Sequence, residues 1–295
     1  MTLNLEPDLD MLSEALIDQF REEGYVVIDN LLTETEIDRY QPIVRAAVSS
    51  RKRFDTRALA QKSAYEQSFL QCMNLWEDFP KIRPLTFHRK IAQAAATLLQ
   101  VSAVRLWHDQ ALFKEAGGRV TDPHQDLPYW PMTEEDALTA WIPFDGSTRG
   151  NGCMYYIPGS HKVSDRTFVD IFRRGDEDPM DQAKDLLTAE PVNVEVPRGS
   201  VAFHHGLTAH GANANCSEQT REVHTMIYFK DGTTRSATGK HHAVDRSDIK
   251  PGAAINSDVT PIAWPREDLP QPPPPLRLNR AVAITGAFPQ STDLD

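Results

Sequence analysis

Apolar positions near the start of the chain recur first at helical and then at strand spacing. Leu12, Leu16 and Phe20 stand at i, i+4 and i+8, one apolar stripe on a helix over 12–23, and Gly24 follows where a left-handed C-terminal residue is expected. YVVIDNLL, from Tyr25, then has the composition of a strand. Thr33 with Glu36 forms a capping-box pattern that opens a second helix through about Val48. A third helical stretch is expected in LTFHRKIAQAAATLLQ, where Ile91, Ala95, Leu98 and Leu99 keep the spacing. From Val101 the pattern changes to short β-like runs broken by Gly, Pro and Asn: VRLWHDQALFKE, ALTAWIPF, CMYYIPG, VNVEVPRGSVAFHH and EVHTMIYFK. RGNG at 149–152 and PGSH at 158–161 are turn chemistry. This is the rhythm of a barrel or sandwich with helices packed on a sheet.

Two stretches fall outside that rhythm. Residues 163–190 are charged and irregular, and RRGDEDP within them reads as a solvated insertion. The last thirty residues, with PQPPPPLRL, read as extended chain without a core of its own. The expected organisation is one catalytic domain over 1–264, N-terminal helices included, with a Pro-rich tail, 265–295, packed on it. No internal repeat is visible.

Composition narrows the function classes. In 295 residues the apolar fraction is 40% and the charged fraction 25%, ordinary for a water-soluble domain, and no apolar run approaches the ~20 residues of a membrane span. MTLNLEPDLDMLSEAL carries acids where a signal peptide would carry bases and an apolar core, so a cytoplasmic location is expected. Cys72, Cys153 and Cys216 are odd in number and widely spaced, which argues for reduced thiols rather than a disulfide framework or zinc ribbon. A net charge of -11 disfavours nucleic acid and anionic membrane surfaces as partners. A small-molecule substrate and a monomer or homodimer are expected.

Candidate chemistry begins at DPHQDLPYWP, residues 122–131. On a strand, His124 and Asp126 share a face while Gln125 points away, supplying two ligands of a 2-His-1-carboxylate set. Such a set leaves room on Fe(II) for a chelating cosubstrate and dioxygen. Three histidines compete for the missing position in GSVAFHHGLTAHGANANCSEQTREVHTMIYF: His204, His205 and His210. The first two are adjacent, so at most one of them faces inward. If residues 211–220 join two antiparallel strands, Arg221 shares a face with Val223, Thr225 and Ile227 and enters the barrel, where its planar fork suits a carboxylate. Tyr129 and Trp130, caged by Pro128 and Pro131, either wall a substrate cavity or seal the barrel rim.

From Leu16 to Phe229 the chain resembles the phytanoyl-CoA dioxygenase-like enzymes, which are Fe(II)- and 2-oxoglutarate-dependent oxygenases. FREEGYVVIDNLLTETEID, HQD at 124–126, NGCMYYIPGSHK and HHGLTAHGANANCSEQTRE carry the resemblance. It implies a double-stranded β-helix, the cupin-like jelly roll, mainly β with flanking α-helices. It also implies Fe(II) held by His124, Asp126 and a distal histidine, with an arginine eleven residues later gripping 2-oxoglutarate. His210 and Arg221 stand eleven residues apart, which selects His210. Gln110 and Trp141 lie where the family often places cosubstrate contacts. Ala212 stands where it often has Ser or Thr, which puts one cosubstrate hydrogen bond in doubt.

The implied reaction uses O2 and 2-oxoglutarate to hydroxylate an unactivated C–H bond of a small metabolite or natural product, releasing succinate and CO2. Asp126 favours hydroxylation over halogenation, because related halogenases replace that carboxylate. The alternatives are the same chemistry on an acyl-CoA, desaturation, epimerisation or ring formation. More distant ones are a zinc hydrolase, which has no use for Arg221, and a non-catalytic 2-oxoglutarate-binding protein.

Overall fold

The structure is a computed structural model that describes residues 12–163, 166–172 and 176–274. Helix α1, Glu14–Glu23, is capped by Ser13, and Gly24 at φ 82° closes it with its N–H on the Phe20 carbonyl. Strand β1 is Tyr25–Ile28. In α2, Glu34–Lys52, the Thr33 hydroxyl accepts from the Glu36 N–H and the Glu36 carboxylate accepts from the Thr33 N–H. This helix outruns its expected end at Val48 because Arg51 in the last turn reaches the Met73 carbonyl and Asp78. Short helices α3, Ala64–Ser68, α4, Leu75–Asp78, and α5, Arg83–Thr86, follow, with strand β2, Leu70–Met73, between the first two. The third long helix, α6, is Arg89–Leu98, shorter than its apolar pattern because α5 takes the preceding turn.

Nine more strands complete the barrel. They are β3, Val104–Phe113; β4, Thr121–His124; β5, Ala137–Pro143; β6, Met154–Tyr156; and β7, Val192–Val194. After them come β8, Val201–His205; β9, His210–Ala212; β10, Val223–Lys230; and β11, Ile262–Trp264. Helices α7, Pro179–Gln182, and α8, His242–Asp245, lie in the later connections. Seven strands form one antiparallel sheet in the order β1-β8-β5-β10-β3-β11, with β2 also on β3; β4-β9-β6-β7 form the other. The two sheets make the jelly roll.

Side-chain alternation divides the large sheet. Leu138, Ala140 and Ile142 of β5, Met226 and Tyr228 of β10 and Phe203 of β8 meet Ile37, Val44, Ile91 and Leu98 of the helices. The opposite face sends Trp141, Ala202 and Val223 toward Met154, Tyr156 and Ala212 of the small sheet. The site lies on this inner side.

The stretch 163–190 is not simply a solvated insertion. Val169, Ile171, Ala183 and Leu186 are buried against Ile157 and Ala209. The apolar residues spaced through it outweigh the charged RRGDEDP, of which 176–178 are exposed. Of the Pro-rich tail, Pro270 and Pro273 are buried, and 275–295 lie outside the described residues. Among the described residues no helix is long and apolar enough to cross a membrane.

Candidate active site and metal centre

His124 ends β4 and His210 begins β9, and the two are cross-strand partners in the small sheet. Their rings are 4.4 Å apart. A register shift between Thr121 and His124 marks an extra residue in β4 at Asp122–Pro123. Asp126 does not continue the strand as the sequence alternation suggests. Its backbone is helical, φ -78° and ψ -43°, and opens a 3₁₀ turn over Leu127–Tyr129. The turn swings the carboxylate back, so that Oδ1 is 3.8 Å from both His124 Nε2 and His210 Nε2. Ligand atoms of these three residues lie within 4.8 Å of one another, a set able to hold a metal ion.

Hydrogen bonds prepare each group for that task. His124 Nδ1 donates to the Asp122 carbonyl at 2.9 Å and His210 Nδ1 to the Thr208 carbonyl at 2.8 Å. A carbonyl only accepts, so both protons sit on Nδ1 and both Nε2 lone pairs are free for a cation. Burial pushes both imidazoles down to about 4, helped by a neighbouring histidine, and keeps them neutral. Burial works against ionised Asp126, but His210, His204 and His124 outweigh it and hold the carboxyl well below the usual range. Oδ2 of Asp126 accepts from Thr139 Oγ1 at 2.8 Å and faces His204 Nε2 at 3.3 Å. His204 Nδ1 in turn lies 3.2 Å from the Tyr156 hydroxyl. His204 is therefore the inward member of the adjacent pair, but it presents a proton to the carboxylate. His205 faces the other way, 6.3 Å from Phe20 of α1.

Arg221 enters the barrel just ahead of β10. Its neighbour Glu222 points outward, where Arg45 of α2 grips it with two bonds of 2.6 and 2.8 Å, and this parity turns Arg221 inward. The guanidinium is buried, lies 5.0 Å over the Trp141 ring and donates to the Gly152 carbonyl. Its Nε has no partner. Among the described residues no carboxylate pairs with it, and burial lowers it to about 10. An unpaired buried cation beside a candidate metal set is a place for an anion.

One cavity of about 1040 Å³ joins the triad, Arg221, Gln110, Trp141, Tyr129 and Trp130. Gln110 Oε1 accepts from Gln71 Nε2 at 2.6 Å, and Gln71 Oε1 accepts from the Tyr65 hydroxyl at 2.9 Å. Trp130 is also core, 6.4 Å from Trp107. Tyr129 meets Phe168 at 5.1 Å and Phe172 at 5.9 Å. The sequence reading missed Phe168, Ile171 and Phe172, which come from the stretch assigned to solvent, and His108, His241 and His242 on another wall. The apolar pattern FVDIF was the available signal for the first three. Ala212 faces Thr121 and Met154 across the strands, with no hydroxyl to offer.

Most of the chain is similar to known proteins. Residues 20–223 match the family model described as phytanoyl-CoA dioxygenase (PhyH). A phytanoyl-CoA dioxygenase domain-containing protein 1 homolog of Caenorhabditis elegans is 25% identical over 267 residues, 75% of this chain and 92% of the relative. A probable alpha-ketoglutarate-dependent hypophosphite dioxygenase of Stutzerimonas stutzeri is 27% identical over 224 residues, 71% of this chain and 76% of that protein. The crystal structure of the non-heme alpha ketoglutarate dependent carbocyclase SnoK from nogalamycin biosynthesis superposes with a TM-score of 0.73 at 28% identity. It covers 86% of this chain and 97% of SnoK. The epimerase SnoN, solved with Fe3+, alpha ketoglutarate and nogalamycin RO, shares the fold at 24% identity and a TM-score of 0.67, over 85% of this chain and 98% of SnoN. With the match running through both histidine-bearing strands, the chain belongs to the phytanoyl-CoA dioxygenase family and is an Fe(II)- and 2-oxoglutarate-dependent oxygenase.

Proposed function

We propose that this oxygenase hydroxylates an unactivated C–H bond of a small organic metabolite or natural product, converting 2-oxoglutarate and O2 to succinate and CO2. The observation that carries the reading is the single cavity in which the triad and an unpaired guanidinium leave a separate apolar wall free for a substrate. His124, Asp126 and His210 would hold Fe(II), and Arg221 the distal carboxylate of 2-oxoglutarate above Trp141, with Gln110 beside it. Bound iron and 2-oxoglutarate supply the oxidant; the protein supplies positioning and exclusion of water. Thr139 and His204 fix one carboxylate oxygen so that the other faces the imidazoles. The Nδ1 protons remain on backbone carbonyls, which keeps the ligand tautomers constant. Tyr129, Trp130, Phe168 and Phe172 would hold the substrate and shed water from its path.

A carbocyclase among the similar structures supports a second outcome on the same site, ring closure. Hydroxylation and ring closure differ in where the substrate's atoms sit, not in the residues of the triad. The three cysteines are unpaired, which fits a reducing compartment, and we place the enzyme in the cytoplasm.

The test is a metabolite library incubated with the Fe(II)-loaded enzyme, 2-oxoglutarate and O2, reading succinate and then product mass. Substrate-dependent succinate with a gain of one oxygen is expected. Loss of two hydrogens assigns ring closure or desaturation instead, and unchanged mass assigns epimerisation. Succinate that no compound stimulates, across acyl-CoA thioesters as well as small metabolites, overturns the substrate class.

A further inference from the structure

The cavity carries a second imidazole cluster that the metal centre does not use. His108 faces it from β3 at a register shift: Ile227 pairs with His108 but Tyr228 with Leu106, so Trp107 is an extra residue. His241 and His242 come from the connection after β10, as the N-cap and first residue of α8. Their rings form a row. His241 stacks on Trp107 at 4.5 Å and 21°, lies 4.4 Å from His242, and is 5.8 Å from His108 at 20°. Trp107 is anchored edge-on against Phe229 at 5.7 Å. All three histidines line the cavity that holds the triad.

In His108 and His241 the hydrogen-bonding capacity is only partly used. His241 Nδ1 accepts the Ala243 N–H at 3.2 Å, so its proton is on Nε2, which has no partner among the described residues. His242 Nε2 meets the Asn74 side-chain amide at 2.6 Å. His108 is 4% exposed, and its Nδ1 makes no well-formed hydrogen bond, although the backbone of Asp109 lies close enough to act on the ring. A buried polar atom left alone is rare enough that a partner is expected in the working complex. Burial lowers His108 to about 4 and His242 to about 3, and holds His241 well below the ordinary range, so the row is uncharged. Of the charges nearby, Asp245 pairs with Arg235 at 2.6 Å and Glu77 with Arg246 at 2.7 Å, while Lys240, next to His241, also lines the cavity. Neutral rings with a spare donor and an orphan nitrogen suit an uncharged oxygen. They offer no countercharge to an ion.

Resting on the oxygenase reading above, we propose that His108, His241 and His242 are the subsite for an uncharged carbonyl or hydroxyl oxygen of the substrate. The remainder of the molecule lies against the apolar wall of Tyr129, Phe168, Ile171 and Phe172.

Matched fragments test this without knowledge of the substrate. The probes are α-tetralone, its hydrocarbon tetralin and a tetralin carboxylate, added to enzyme loaded with Co(II) and 2-oxoglutarate. Binding is read by paramagnetic broadening of the fragment's NMR signals. Wild type should bind the ketone about ten-fold more tightly than tetralin, the size of one well-made hydrogen bond in a pocket. His241→Phe should abolish that preference while keeping the stack on Trp107. Because His241 also caps α8, His108→Phe provides a variant with no capping role, and it too should erase the preference. Equal affinity for ketone and hydrocarbon in wild type overturns the proposal, as does a preference that survives both variants or a carboxylate that outbinds the ketone. If Co(II) gives no d–d absorption with the protein, the metal reading fails separately. Saturation-transfer NMR on metal-free protein then makes the same fragment comparison.

Discussion

Arg221 shows at the scale of one residue how burial turns charge into a binding requirement. Its guanidinium is buried over Trp141, bonded among the described residues only to the Gly152 carbonyl, and shares its surroundings with Lys114, whose amine burial lowers to about 6. Such a group is costly until an anion completes it. Arg221→Ala should therefore weaken 2-oxoglutarate binding by roughly 2–5 kcal/mol with metal saturated, and Arg221→Lys, which keeps charge but loses the fork, should fall between. Calorimetric titration of the three proteins decides it; undiminished affinity in the alanine variant would put the anchor elsewhere. Around the triad, Thr139→Val and His204→Phe each remove one bond to Asp126 Oδ2. Each should lower Co(II) affinity about 10–100-fold in a metal titration, and unchanged affinity would make these contacts incidental. The pairing of His210 with Arg221 came from the family resemblance, whose eleven-residue spacing the chain matches. The role of His204 was not legible, since two adjacent histidines say that one faces inward without saying what it meets.

Strand pairing gives the site its dimensions, and β9 is its tightest part. A Cβ on Gly211 would lie 2.3 Å from Tyr155 Oη and 2.5 Å from the Thr121 carbonyl, on the two strands that flank β9. The Tyr155 ring can swing aside, but the Thr121 carbonyl is backbone and cannot yield cheaply. Gly211→Ala should cost about 1–3 kcal/mol of stability and pull His210 away from His124, weakening Co(II) binding as well. A melting temperature and metal affinity equal to wild type would show that the sheet absorbs the methyl freely. The elements legible in the sequence are those with long patterns or caps: α1 with Ser13 and Gly24, α2 with its capping box, and β5 and β10 with seven and eight residues. The small sheet was harder, because four residues containing Pro123 and three reading HGA hold no usable alternation. The extra residue at Trp107 also left no mark, although it turns Leu106 to the outer core while His108, Gln110 and Leu112 line the cavity.

The molecule as a whole should be acid-sensitive because it buries many imidazoles uncharged. His108, His124, His205 and His210 are pushed down to about 4 and His242 to about 3, mainly by burial in every case. In the unfolded chain each takes a proton near pH 6.5, whereas the folded protein refuses it until about pH 4. Between those values the unfolded state binds more protons, so stability rises with pH and is lost on acidification from 6.5 toward 4. Each group contributes up to about 3 kcal/mol over that window. Several acting together are comparable to the roughly 5–15 kcal/mol that holds a domain folded. Asp126 adds in the same direction, but only at lower pH, where its unfolded form would protonate while the folded carboxyl still resists. A bound metal competes with protons for His124 and His210, so its stabilisation should shrink as the pH falls. Melting temperatures from pH 7.5 to 4.5, with and without Co(II), test both effects. The metal-free protein should lose stability steadily below about pH 6.5, and the two curves should converge toward the acid end. A metal-free melting temperature that stays level across that range would mean these histidines already carry protons, or reach water, in the folded state.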